Sequence, residues 1–94
     1  MENIKIEMPK EITVLAGHEL GLFVYHKYIK EKFDIKKTNK LEFPDHVEML
    51  CPSFIRGMLQ PLLSQYTTKE VYDSIITEDK FKEEIKEELD LWNV

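Results

Sequence analysis

The sequence predicts an α/β fold, and three observations carry that reading. Ile4, Ile6 and Met8 alternate with polar residues, the period of a strand with one buried face. Leu20, Val24 and Tyr28 recur at intervals of four, with Tyr25, Ile29 and Phe33 on the adjoining ridge, which is a helical stripe. Phe81, Ile85, Leu89 and Trp92 step by four, four and three with charges between them, a second amphipathic helix. Read end to end, the order is strand or strands, helix, strand, helix, strand, helix. Such alternation implies crossover connections and a mixed or largely parallel sheet, with about three helices packed on it as a small sandwich.

Each element follows from local chemistry. Pro9-Lys10 interrupts the first alternation, and Glu11–Leu15 reads as a second extended segment. The two either form a hairpin or are separated by a loop that Pro9 opens. The helix spans His18–Phe33, with lysines gathered at its C-terminal end, where they suit the helix dipole. A polar connector, Asp34–Asn39, leads to a short strand through Leu41 and Phe43 that Pro44-Asp45 terminates.

Ser53 stands where an N-cap belongs, ahead of the apolar stripe Phe54, Ile55, Met58, Leu59, Leu62 and Leu63. Pro61 lies inside that helix and predicts a kink, because Gly57 offers no side chain for the ring to crowd. Tyr66-Thr67-Thr68 reads as a turn, and the β-branched content of Glu70–Ile76 favours a strand. Thr77 then caps the last helix, with Glu78 and Asp79 in its first turn.

The totals bound the function. Ninety-four residues give one domain over 1–94, and 43% hydrophobic with 33% charged content is that of an ordinary globular chain. No apolar run approaches the roughly 20 residues that span a bilayer, and MENIKIEMPK is not a secretory signal. A single cysteine forms no internal disulfide; cytoplasm is the expected compartment. A net charge of −5 argues against a nucleic-acid partner, since phosphates are met by basic faces. The charge is uneven: residues 27–40 hold six lysines, whereas 69–94 hold four lysines against nine acids. Solvated faces explain most of this pattern, although a polarised surface also steers partners.

No reaction chemistry is legible. His18, His26 and His46 are eight and twenty residues apart, without the spacing of a helical metal site, and no metal or cofactor is expected. Asp45, His46 and Cys51 lie close in sequence, and a thiol near a helix start favours thiolate. Proximity along the chain is not triad geometry, however, and Cys51 reads as a small apolar filler. The three glycines are scattered, so no phosphate-cradling loop is present.

Residues 40–64 carry a resemblance. Leu41-Glu42-Phe43, Val47, Pro52-Ser53-Phe54 and Gly57, preceded by the 17–33 helix, follow in order a strand with an acidic residue, a loop, and a Ser-Phe pair opening a helix that soon holds a glycine. In this order and spacing, residues 11–76 resemble the STAS-like domain family, related to the anti-sigma-factor antagonist (STAS) domains. That resemblance implies a STAS-like sandwich and a regulatory, non-enzymatic protein-interaction module. Its implied partner is a protein with a histidine-kinase-like ATPase fold. It also implies phosphorylation of a serine near the start of the equivalent helix. Here Cys51 stands at the usual aspartate, Pro52 at the modified serine and Ser53 one position beyond.

The expected contact site is therefore Cys51, Pro52, Ser53 and Gly57, with Arg56 and Gln60 turned to the partner from the polar side of the helix. Ser53 is the candidate for phosphorylation. Two other readings stand beside this one: a small phage or mobile-element inhibitor of a host protein, and a ligand-binding or enzymatic domain built around Cys51.

Overall fold

A computed structural model describes residues 1–92 of the chain; 93 and 94, the end of the expected domain, lie outside the described residues. The α/β class holds, with two small parallel sheets and four α-helices among the described residues. Strand β1 (Glu2–Lys5) pairs in parallel with β3 (Asn39–Glu42), which pairs in parallel with β5 (Ile75–Thr77). A second parallel pair joins β2 (Val14–Leu15) to β4 (Met49–Leu50). No hairpin links the first two extended segments. Pro9 opens a loop, and β2 joins a different sheet.

Helix α1 (His18–Val24) continues as a π-helical turn over Tyr25–Ile29, where the Lys30 N–H reaches the Tyr25 carbonyl at 2.8 Å. The helix predicted to reach Phe33 thus stops at Ile29, regular to Val24 and widened over its last turn, and residues 30–32 form a turn. Helix α2 (Pro52–Leu63) runs through Pro61, close enough to its end that little ladder remains to break.

Two predicted boundaries are corrected. Glu70–Ile76 is not one strand: α3 (Thr68–Ser74) occupies most of it, and only Ile75–Thr77 is extended. A capping box starts that helix, because Thr67 Oγ1 accepts the Glu70 N–H at 3.1 Å and the Glu70 carboxylate accepts the Thr67 N–H at 2.9 Å. Thr77 is not a helix cap either. It ends β5, donates its hydroxyl to the Leu41 carbonyl at 3.2 Å, and leaves α4 to begin at Asp79 and end at Trp92.

One apolar core unites the layers. Ile4 and Leu41 from β1 and β3, with Ile6 and Phe43 just past their ends, meet Val24 from α1 and Ile29 from its π-helical turn, Phe54, Met58 and Leu62 from α2, and Phe81, Ile85 and Leu89 from α4. Phe43 stands edge-on to Phe81, ring centroids 5.4 Å apart, in the offset geometry that aromatic quadrupoles favour. The stripes predicted for the second and last helices are therefore the buried faces. Asn39 is fully buried and satisfied: its amide donates to the carbonyls of Asp34, Lys37 and Ser74, and its oxygen accepts the Asp34 N–H. It ties the connector to the start of β5.

Candidate functional site

The start of α2 lies at the end of the β2–β4 sheet, and two backbone features place it there. The Cys51 N–H donates to the Leu15 carbonyl at 2.8 Å, extending the sheet pairing by one bond. Cys51 itself is the N-cap, with extended dihedrals (φ −78°, ψ 152°), and Pro52 takes the first helical position. Proline suits that position because the N–H it lacks would have had no helical partner. Ser53 is thus inside the first turn and is not the cap, a correction to the sequence reading. Its hydroxyl instead accepts the Gly17 N–H at 2.9 Å, bridging the starts of α1 and α2. Gly17 has φ +100°, a left-handed conformation that glycine adopts without steric cost.

The two helices cross at van der Waals contact between backbones. A Cβ on Gly57 would overlap the His18 carbonyl, and one on Gly21 would overlap the Phe54 carbonyl and sit 2.5 Å from the Met58 nitrogen. Gly57 is consequently buried in the crossing and offers nothing to a partner. Beside it the His18 Nε2 and Gln60 Oε1 are hydrogen-bonded, so Gln60, although exposed, is engaged within the chain.

Arg56 is exposed as expected, yet it too is occupied. Its Nε donates to the Glu88 carboxylate at 3.0 Å, and its guanidinium lies over the Trp92 ring at 5.8 Å. Glu88 is only 5% exposed, so Arg56 neutralises a buried acid from the surface side. Spacing within α2 alone does not reveal this pairing, because the partner lies 32 residues away.

The Asp45, His46 and Cys51 constellation is not assembled. His46 Nε2 bonds the Pro9 carbonyl at 2.9 Å, and Asp45 is exposed. His18 serves Gln60, while His26 stands edge-on to Tyr25. Among the described residues no group of three or more His, Cys, Asp or Glu side chains is placed to hold a metal. No described helix is long and apolar enough to cross a membrane.

The sequence reading missed one part of this surface. Val14 and Met49 are register partners across β2 and β4, and they are 44% and 54% exposed. They form an apolar pair on the strand ends that lead into exposed Ala16 on one side and exposed Pro52 and Ser53 on the other. The period-2 rule held the signal, since Leu15 and Leu50 are buried and their neighbours must face outward. No protein-family model, no curated protein and no solved structure matches the chain.

Proposed function

We propose that the chain is a non-enzymatic, STAS-like regulatory module that binds another protein through the start of α2. The contact surface is Val14, Met49, Pro52 and Ser53, with Cys51 beneath it and Arg56 at its margin. The observation that carries this reading is the exposed Val14–Met49 pair beside the helix start. Apolar side chains adjoining exposed polar groups are what a protein partner covers. Residues 11–76 resemble STAS-like domains, which favours a partner with a histidine-kinase-like ATPase fold. In this proposal Ser53 is the regulatory position. Its hydroxyl is at an exposed helix start, and a phosphate there adds about two negative charges beside the apolar pair.

The test uses the chain as bait in lysate of its native host, with captured proteins identified by mass spectrometry and rebound in purified form. Wild type and a Lys36→Glu/Lys37→Glu variant, altered at exposed positions of the connector before β3, should retain the same purified protein. Met49→Glu and Ser53→Glu should lose it while keeping their circular dichroism. Binding that survives both of these substitutions removes the surface from consideration.

A further inference from the structure

The β1–β3–β5 sheet ends at β5, whose outer side pairs with no other strand among the described residues. The hydrogen-bonding parity of the sheet identifies which groups face outward. The N–H groups of Glu2 and Ile6 donate to the carbonyls of Thr38 and Glu42, so alternate β3 residues from 38 to 42 face β1. Asn39 and Leu41 therefore face β5, and the parallel register Asn39↔Ile75 and Leu41↔Thr77 directs their bonds to the residues flanking these partners. Ile76 is bound to β3. The N–H and C=O groups of Ile75 and Thr77 point away from the sheet.

Against this edge lies a groove of about 310 Å³ between the end of α3 and the flank of α4, lined by Tyr72, Ile76, Lys82, Ile85 and Lys86 among others. Tyr72 and Ile76 are 42% and 41% exposed, which leaves apolar surface at the open edge. The lining holds two carboxylates and two lysines, but Asp73 is held by Lys69 at 2.8 Å, so Asp79 alone stands against Lys82 and Lys86. Lys82 and Lys86, four apart on one face of α4, make no ion pair among the described residues, although the chain as a whole carries −5.

We infer that this edge binds an extended acidic segment of a partner protein, which adds to β5 as a fourth strand and sets its carboxylates against Lys82 and Lys86. Strand addition uses the main-chain groups of Ile75 and Thr77 for affinity, and the groove and lysines for selection. A second copy fits the charges poorly. A two-fold contact at this edge brings the same patch from both copies together and so doubles the number of unpaired lysines at the contact. This surface is separate from the start of α2, and its test does not depend on the function proposed above.

The probe is a fluorescein-labelled peptide of alternating Glu and Val, compared with its Lys/Val counterpart and with an N-methylated Glu/Val version that cannot pair. Anisotropy should show saturable binding of the acidic peptide alone, weakened about tenfold or more by Lys82→Glu/Lys86→Glu. Amide exchange should slow at Ile75 and Thr77 when it binds. The inference is overturned if the acidic and basic peptides bind alike, if the N-methylated peptide binds as well, or if nothing binds up to about 1 mM. It is equally overturned if those two amides are protected without peptide in a concentration-dependent dimer.

Discussion

The Ser53 hydroxyl accepts the Gly17 N–H at 2.9 Å, fastening the first turn of α2 to the residue that precedes α1. The bond links positions 36 apart in sequence and lies at the surface. Ser53→Ala removes one neutral hydrogen bond that water partly replaces, so stability should fall by about 0.5–1.5 kcal/mol. Ser53→Asp should retain most of it, because a carboxylate also accepts this N–H and suits a helix N-terminus. Urea unfolding of the two variants decides the matter. Equal and severe losses would mean that the hydroxyl is held by packing and not by this bond.

Arg56 is a tie within the fold before it is anything else, so inverting its charge carries a structural cost. Arg56→Glu sets a carboxylate beside the buried Glu88, which then loses its only ion-pair partner among the described residues. Half of the arginine side chain is exposed, so the full penalty for breaking a buried pair does not apply. A loss of about 1–3 kcal/mol is expected, or about 4–8 °C in Tm for each kcal/mol. Replacing both Arg56 and Glu88 by Ala should cost less than the sum of the two single changes, because the second change removes the orphaned charge. Additive losses would show the pair to be uncoupled.

Features with long, regular spacing were legible in the sequence, and features that depend on a distant partner were not. The Phe81–Ile85–Leu89 stripe is buried as its period predicts, since a helix of this length samples its own repeat several times. Residues 70–76 are too few to define a period. There the β-branched content of Val71, Ile75 and Ile76 outweighed the Thr67-to-Glu70 capping signature, which was present and is the stronger local signal. At α2 the preference of serine for caps drew attention to Ser53, whereas Pro52 at the first helical position identifies Cys51 as the cap. The Val14–Met49 pair and the Arg56–Glu88 bridge join segments more than 30 residues apart, and no pattern internal to either segment encodes the other.

The capping box at Thr67 provides a direct check on α3. Thr67→Ala removes the acceptor for the Glu70 N–H and should destabilise the protein by about 0.5–2 kcal/mol. Thr67→Asp should recover most of that loss, since aspartate caps as well as threonine does. Amide exchange at Glu70 and Val71 should quicken in the alanine variant, because the first turn frays when its cap is gone. Unchanged exchange there would argue that this segment is extended and not helical.

The Gly57 contact with His18 and the Gly21 contact with Phe54 yield the prediction with the clearest sign. On an exposed helix, glycine to alanine is stabilising by about 1 kcal/mol, because alanine loses less backbone entropy. Here the added Cβ meets backbone atoms of the facing helix, which cannot rotate aside as a side chain would. Gly57→Ala and Gly21→Ala should each therefore lower stability, by about 1–3 kcal/mol as overpacked sites do. The helices must separate to admit the methyl group, so the Ser53–Gly17 bond should lengthen and exchange of the Gly17 amide should accelerate. Coupling of that kind makes the α1–α2 crossing the support on which the start of α2 is held beside Val14 and Met49. Alanine variants as stable as the parent, with an unchanged Gly17 amide, would show that the two backbones do not pack at contact distance.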